Sequence, residues 1–334
     1  MKGFKIIFVL TLVVVLTLMV FSAASAADKP QVRMAALFPG SIQDADYNTI
    51  GYIALQETGN KYGFEVSYSE KVAVPDAERV MKEYINAGYN VIWVHGAQFN
   101  GAAIKIGDDY PKVTFIIEVD DTPAEMKANF WYMDRNFYTG FYVLGVLAAL
   151  KTETGKIGYI GGLELPFTRA EINAIKQAIK DVESDAKLEY IYVGDFNDPL
   201  KTRQAAEGFI SIGVDVIISS VNLGNFGLYN AAKEAKKTVF ITTKYTDKEA
   251  QAPENFLTSD LFSFEIPIKE IVGRILDGEK GGFILLEYGE GKARYAQFPI
   301  KNVSEEIGAK VKQIAQDVAS GKISIVKNLE KILP

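Results

Sequence analysis

The chain has 334 residues, with 36 Lys and Arg residues against 42 Asp and Glu residues, which gives a formal net charge of −6. An acidic surface argues against a nucleic acid partner, because such a partner requires a basic face. The chain has no cysteine and one histidine, which excludes a thiolate nucleophile and a metal site built from histidine and cysteine. Its length is enough for two domains of ordinary size.

The first 26 residues are predicted to be a secretory signal peptide that is cleaved after Ala26. Lys2 and Lys5 give a positive start, residues 6–21 are an apolar run, and residues 24–26 are small, as a cleavage site requires. The alternative is a retained transmembrane anchor, since the apolar run is long. We therefore expect an exported protein, located in the periplasm or at the cell surface.

The next hundred or so residues predict alternating strands and helices. Apolar runs predict strands at 32–38, 64–69, 91–94 and 113–119, and helical periodicity predicts helices at 46–61, 76–87 and 100–109. The run at 91–94 is apolar throughout, which is typical of a parallel strand that helices cover on both faces. The chain is then predicted to cross to a second lobe at about 129–134.

The second half of the chain repeats this alternation. A helix at 136–150 leads to a strand that starts at Lys156, and further strands are predicted at 188–193, 214–219 and 238–243, with helices at 168–182, 199–212 and 225–236. Residues 258–261 are predicted to cross back. The helix at 265–277 would then rejoin the first lobe, and a last helix is predicted near 303–319.

The two halves share landmarks at one constant spacing. The same number of residues separates Gly88 from Gly213 and Phe115 from Phe240, and each glycine ends a predicted helix before a buried strand. We interpret this as two α/β lobes with parallel sheets, joined by a hinge in which the chain crosses more than once. The predicted lobes are 27–133 with 259–285, and 134–258 with 286–334. A cleft between two such lobes is a common place for a ligand.

The residues of known catalytic motifs are missing from the sequence. A Ser-His-Asp triad would need His95, but no Gly-x-Ser-x-Gly turn accompanies it. The glycine pairs at 161–162 and 281–282 match neither a phosphate-binding loop nor a dinucleotide fingerprint. We therefore expect a binding protein without a cofactor. An exported hydrolase that uses paired carboxylates stays open, because surface carboxylates are plentiful.

The loops that follow the predicted strands are rich in aromatic and amide side chains. Carboxyl ends of parallel strands are where α/β sheets bind ligands. Aromatic rings there would stack on a flat ligand, and amides would orient its polar edge; alternatively, the rings close the core. The candidate ligand-binding residues are Asp44, Tyr47, Asn48, Gly96, Gln98, Phe99, Phe167, Asn222, Gly224, Lys244 and Tyr245, together with Asp260 and Phe262 from the predicted return crossing.

Several short motifs, in this order along the chain, resemble the basic membrane protein (BMP) family. The first is the loop from Gly40 through Asp44 to Asn48, followed by Tyr110–Phe115, Tyr142–Ala148 with Lys156–Tyr159, Asp198–Lys201, Gly213–Ile217 and Thr258-Ser259. Members of this family are extracytoplasmic binding proteins of ABC importers, and they include purine nucleoside and nucleobase receptors. The resemblance covers nearly the whole chain after the leader. It implies a type I periplasmic binding protein fold and a membrane permease as partner.

The resemblance also implies roles for the candidate residues. Tyr47 and either Phe167 or Tyr245 would sandwich a ring, while Asp44, Asn48, Gln98 and Asn222 would orient it. Lys244 and Phe262 stand where the family has an aspartate and a lysine for a ribose. We therefore expect a monomer that binds a purine nucleobase in preference to a nucleoside. A nucleoside- or sugar-binding protein of the same fold is the alternative. The chain also lacks the lipidated cysteine that most members carry after the signal.

Overall fold

The computed structural model describes residues 31–333. The predicted signal peptide therefore lies outside the described residues. Within residues 31–333, no helix has the length and apolar character needed to cross a membrane.

The strands and helices of the described chain alternate over most of its length. The strands are β1 (Met34–Leu37), β2 (Val66–Ser69), β3 (Val91–Val94), β4 (Thr114–Val119), β5 (Phe130–Asp134), β6 (Lys156–Gly161), β7 (Lys187–Tyr192), β8 (Val216–Ser220), β9 (Phe240–Tyr245), β10 (Phe256–Phe262), β11 (Gly282–Leu285) and β12 (Arg294–Ala296). The helices are α1 (Tyr47–Tyr62), α2 (Ala77–Asn86), α3 (Asn100–Gly107), α4 (Phe137–Lys151), α5 (Pro166–Asp181), α6 (Pro199–Ser211), α7 (Asn225–Glu234), α8 (Glu265–Leu276) and α9 (Glu305–Ala319).

These strands form two sheets of the same plan, which confirms the predicted α/β fold with two lobes. The first sheet has the order β11-β5-β4-β3-β1-β2, and the second has the order β12-β10-β9-β8-β6-β7. Each strand of one sheet thus has a counterpart at the same position in the other. All pairs are parallel except β10 with β12, which is antiparallel.

The predicted glycine landmarks have the same backbone conformation in both lobes. Gly88 and Gly213 each follow a helix and each have φ of 89°. A side chain at this angle would be strained, so glycine ends α2 and α6 in the same way and directs the chain into β3 and β8. The repeat in the sequence therefore corresponds to a repeated structural unit.

Both crossings predicted from the sequence are in fact strands. Residues 129–134 include β5, which pairs with β4 in the first sheet, and residues 258–261 belong to β10, which pairs with β9 in the second. The chain changes sheets after Asp134, after Phe262 and again between β11 and β12. We therefore propose a hinge of three crossings, with the second lobe extending to Phe262 instead of ending at 258.

The two lobes share an aromatic layer. Phe167, Tyr245 and Phe262 of the second lobe belong to the same buried cluster as Tyr47 and Phe264. Ring pairs connect them across the lobes: the centroids of Tyr47 and Tyr245 lie 5.6 Å apart, and those of Phe262 and Phe264 lie 5.9 Å apart. The structure therefore shows the lobes in contact with one another.

The C-terminal segment, residues 324–333, lies along α5 and reaches the first crossing. Gln177 and Asn173 of α5 hydrogen-bond to its backbone, including the Val326 amide at 2.8 Å and the Leu333 amide at 2.7 Å. Lys327 Nζ donates to Asp134 Oδ2 at 2.8 Å, at the end of β5. The segment therefore connects the second lobe to the hinge.

Candidate ligand-binding site

A cavity of about 490 Å³ lies between the lobes, and loops at the carboxyl ends of strands from both sheets line it. Ligand pockets for small molecules typically have about 300–1,000 Å³. Six of the predicted ligand-binding residues line the cavity: Tyr47, Asn48, Gln98, Phe167, Asn222 and Tyr245. The first three come from the first lobe and the others from the second.

The Tyr47 side chain packs against a buried polar pair, His95 and Glu118. Its ring stacks on His95 with centroids 3.9 Å apart and planes 22° apart, and its hydroxyl donates to Glu118. Nδ1 of His95 lies 2.6 Å from Glu118, and both side chains are fully buried. One face of the Tyr47 ring is therefore covered by His95, so only its other face can stack on a ligand in the cavity, and the sandwich with Phe167 or Tyr245 stays a prediction.

Asp44 anchors the loop instead of facing a ligand. Its carboxylate accepts hydrogen bonds from the amides of Asp46, Asn48 and Thr49 and from the side chains of the last two. Because these amides lie at the start of α1, where they have no partner within the helix, Asp44 caps the helix and fixes Asn48 at the cavity wall. It does not line the cavity, and its predicted role as a ligand contact is corrected.

Three further predicted residues shape the wall without lining it. Phe99 is fully buried in the core of the first lobe. Gly96 precedes Gln98 in the chain and has φ of 116°. The amides of Gly224 and Asn222 both donate to the carbonyl of Phe196, at 3.1 and 2.8 Å. Gly224 thus helps to hold Asn222 beside Phe196.

Lys244, Asp260 and Phe262 are among the predicted ligand-binding residues, but they lie behind the cavity wall and do not line the cavity. Lys244 is fully buried; its ammonium donates to Ser220 at 2.8 Å and lies 3.6 Å from Glu171. Asp260 is paired with Arg294, and both are buried. In each case a buried charge is stabilised by an opposite charge inside the second lobe, where a ligand does not reach it.

Aromatic rings separate these buried charges from the cavity. The Lys244 ammonium lies 4.8 Å from the ring centroid of Tyr245 and 5.3 Å from that of Phe167, and both rings line the cavity. Phe262 packs against Tyr245 with centroids 5.3 Å apart. The rings thus stabilise the lysine by cation–π contacts on one side and present apolar surface to the cavity on the other.

Nine lining residues are not among the predicted ligand-binding residues, and four of them have charged, amide or aromatic side chains: Asp120, Arg135, Phe196 and Asn197. Asp120 directly follows β4, and Phe196 and Asn197 follow β7, so the rule that selected the other loops could have identified them. Arg135 follows β5, a segment that the sequence predicts as a crossing, so the rule does not select it. Its guanidinium lies over Phe137 and Phe167, at 4.8 and 5.1 Å from their centroids.

Asp120 and Arg135 neutralise each other. Nε of Arg135 donates to Asp120 Oδ1 at 3.0 Å, and the guanidinium also lies 3.9 Å from Glu118. Burial alone would lower the pKa of Arg135, but the charges of Asp120 and Glu118 outweigh it and raise that pKa above its ordinary value. Burial would raise the pKa of Glu118, but His95 and Arg135 lower it overall. Both shifts favour the charged forms of Arg135 and Glu118.

The amide of Asn222 is available for a ligand. Its side chain is 9% exposed and lines the cavity, and its Oδ1 has no hydrogen-bond partner among the described residues. A buried carbonyl oxygen without a donor costs free energy, which a ligand N–H or O–H would recover. The arrangement can therefore recognise a donor on a polar, uncharged ligand.

A larger cavity of about 610 Å³ lies in the second lobe, between α9 and the segments on either side of β12. Only this lobe lines it, and it lies away from the carboxyl ends of the parallel strands. The smaller interlobe cavity is therefore the candidate site.

Comparison with known proteins agrees with this geometry. The model of the Bmp family, described as "ABC transporter substrate-binding protein PnrA-like", matches residues 31–328. An ABC transporter nucleoside-binding protein of Lactococcus lactis is 26% identical over 85% of this chain and 86% of its own. A purine-binding protein of Brucella abortus is 28% identical over 74% of this chain and 71% of its own.

A solved structure with the same fold is an ABC transporter solute-binding protein of Conexibacter woesei. It has a TM-score of 0.73 at 23% identity and covers 90% of this chain and 100% of its own. A solute-binding protein of Aeropyrum pernix has a TM-score of 0.75 at 18% identity, over 90% and 94% of the two chains.

Proposed function

Because the chain belongs to the Bmp family of PnrA-like ABC transporter substrate-binding proteins, we propose that it binds a purine nucleobase between its lobes and presents it to the permease of an ABC importer. Proteins of this kind bind ligands and do not convert them, so the family confirms the prediction of a binding protein over that of a hydrolase. The observation that carries the choice of ligand is the lining of the cavity, which combines aromatic rings, amides and one neutralised ion pair.

The charges of the lining favour an uncharged ligand. Asp120 and Arg135 are the charged residues of the wall, and they bind each other. A zwitterion or an anion would have to break this pair or leave its own charge without a partner, which is costly where water is excluded. A purine base carries no charge at neutral pH, so it needs no charged partner in the cavity wall.

The rings and amides favour a flat ligand with a polar edge. Phe167 and Phe196 are nearly parallel, with planes 18° apart, and both line the cavity. Stacking on such rings accepts any base, whereas Asn222 and Gln98 can select among bases through their donors and acceptors. The named ligands of the two relatives, a nucleoside and a purine, belong to this chemical class.

The preference for a base over a nucleoside rests on the acceptors that a ribose would need. Ribose hydroxyls are donors that are best satisfied by carboxylates. The carboxylate that lines the cavity is Asp120, which Arg135 occupies. Lys244 and Phe262 lie behind the aromatic wall, so they neither help nor hinder a sugar directly. We therefore keep the nucleobase as the proposed ligand on the basis of Asp120.

The proposed function requires that the protein is exported. A substrate-binding protein of an ABC transporter works outside the cytoplasmic membrane, and the sequence of residues 1–26 is typical of a cleaved signal peptide. We propose that the mature protein acts as a monomer in the periplasm or at the cell surface.

Isothermal titration calorimetry of the purified protein tests the ligand. Adenine, hypoxanthine and guanine are compared with adenosine, inosine and glucose. We expect one-to-one binding of at least one base, at least tenfold tighter than that of the matching nucleoside, with no product detected by chromatography. Tenfold tighter nucleosides would overturn the preference for a base, and binding of glucose alone would overturn the purine assignment.

A further inference from the structure

Two side chains of the second lobe hold the start of α1 across the cleft. Thr246 Oγ1 donates to the carbonyl of Ala45 at 2.9 Å, and Lys248 Nζ donates to the same carbonyl at 2.8 Å. Lys248 also lies 2.8 Å from Oδ1 of Asp46. These four residues, which we call the bridge, connect the segment after β9 directly to the loop before α1.

The bridge lies next to the ligand cavity on both sides. In the first lobe it ends at Asp46, and the next two residues, Tyr47 and Asn48, line the cavity. In the second lobe it begins at Thr246, directly after Tyr245, which also lines the cavity. A movement that separates Thr246 from Ala45 would therefore move lining residues of both lobes apart.

The backbone on both sides of the bridge is strained. Ala45 has φ of 57° and Tyr245 has φ of 78°. Residues with a side chain rarely adopt these angles, and they persist only where the surrounding contacts hold them in place. Ala45 belongs to the bridge and Tyr245 directly precedes Thr246, so both strained positions lie at this contact between the lobes.

The contact between Asp46 and Lys248 within the bridge is shielded from water. Asp46 is 2% exposed and Lys248 is 8% exposed. An ion pair on an open surface contributes little to stability. When the two groups are desolvated and hydrogen-bonded, breaking the pair costs more free energy, because it leaves a buried charge without a partner. The contact is therefore able to influence whether the lobes stay together.

We propose that Lys248 and Thr246 are positioning residues for ligand binding, which hold the start of α1 against the second lobe and so keep the cavity closed. They touch the loop that carries Tyr47 and Asn48 instead of the ligand itself. This role does not depend on which ligand the cavity takes, because the bridge lies outside the cavity lining.

Amide hydrogen exchange of the ligand-free protein tests the bridge without a ligand. The variants are Lys248→Met and Thr246→Val, with Lys248→Arg as the conservative replacement. Lys301→Met is the matched control, because Lys301 pairs with Glu249 within the second lobe, at 3.1 Å. We expect at least tenfold faster exchange of the amides of residues 46–50 in Lys248→Met and Thr246→Val. Wild-type rates are expected in Lys248→Arg and Lys301→Met.

The second readout is the dissociation rate of adenine, measured by stopped-flow fluorescence. We expect this dissociation rate to increase about tenfold in Lys248→Met. The melting temperature of Lys248→Met should stay equal to that of Lys301→Met. Unchanged amide exchange of residues 46–50 in both Lys248→Met and Thr246→Val would overturn the proposed positioning role. Failure of adenine to bind the wild type would count against the proposed ligand alone, since the exchange experiment still decides the role of Lys248 and Thr246.

Discussion

The ammonium of Lys244 lies 3.6 Å from the carboxylate of Glu171, in a part of the second lobe where both side chains are fully buried. The hydroxyl of Tyr159 donates to the other oxygen of Glu171 at 2.6 Å, and Ser220 accepts from Lys244. Burial lowers the pKa of Lys244 and raises that of Glu171, since it disfavours both charged forms. The pair therefore belongs to the framework behind the cavity, and its loss should affect folding first.

Lys244→Ala is expected to lower the free energy of unfolding by about 3–5 kcal/mol, because it leaves the carboxylate of Glu171 buried without a cation. Urea denaturation measures this. The double variant Lys244→Met with Glu171→Gln removes both charges and should recover most of the loss. A Lys244→Ala variant that keeps wild-type stability but loses its ligand would instead make Lys244 a ligand contact.

Phe196→Ala should weaken ligand binding more than folding. Phe196 lines the cavity and is only partly buried, so its ring is available for stacking. By analogy with bases on aromatic rings, the loss of binding free energy is expected to be about 1–3 kcal/mol. Calorimetry with adenine and the apo melting temperature are compared with Phe226→Ala, whose ring is 46% exposed and lies outside the lining. Equal affinities of the two variants would contradict a stacking role.

Asn222→Ala should reduce the affinity for the ligand and leave stability almost unchanged. Because Oδ1 of Asn222 has no donor among residues 31–333, the alanine removes a polar group that folding leaves unsatisfied. Loss of one hydrogen bond to the ligand corresponds to about 0.5–1.5 kcal/mol. Calorimetry measures the affinity and urea denaturation the stability; a large drop in stability with unchanged affinity would refute the role.

The raised pKa of Asp46 predicts a specific dependence of stability on pH. Burial, partly offset by Lys248, raises the pKa of Asp46 from 3.8 to about 7 in the folded protein. A raised folded-state pKa means that the folded state takes up the proton, so this contribution to stability is complete below about 3.8 and declines as pH rises to about 7. The slope in this window is at most about 1.4 kcal/mol per pH unit.

Urea denaturation of wild type and Asp46→Asn between pH 4 and pH 8 measures this effect, because the other titrating groups are common to both proteins. We expect Asp46→Asn to gain stability relative to wild type as pH rises towards 7, with a constant difference above that pH. A constant difference over the whole range would show that Asp46 titrates as in the unfolded chain.

The sequence predicted most of the framework because the signals were local. The helix at 199–212 begins at Pro199 and ends before Gly213, and the structure has α6 at Pro199–Ser211. The strand predicted at 91–94 is β3 without change. The strands β5 and β10 were different: each lies second from one edge of its sheet, and the polar residues Thr258 to Asp260 concealed the second. Whether these segments form strands depends on adjacent strands of the sheet that are distant in sequence.

Asn222 and Tyr245, which were predicted from their loop positions, line the interlobe cavity. Other predicted residues do not line it, because their side chains are paired within the protein. Asp44 follows a strand as a ligand contact would, but three amides of its own loop occupy it. Lys244 stands on β9 beside a lining residue, yet its side chain turns to Glu171. Such pairings depend on how the loop and the second lobe fold, which the order of strands and loops in the sequence does not show.

The position of His95 gives the protein a built-in spectroscopic probe. It is the one histidine of the chain, and its ring lies directly under Tyr47 at the edge of the ligand cavity. The proton NMR signals of its imidazole are therefore assigned without labelling, and the ring current of Tyr47 displaces them. A ligand that shifts Tyr47 by even a fraction of an ångström should move these signals, so that binding can be followed in the unmodified protein.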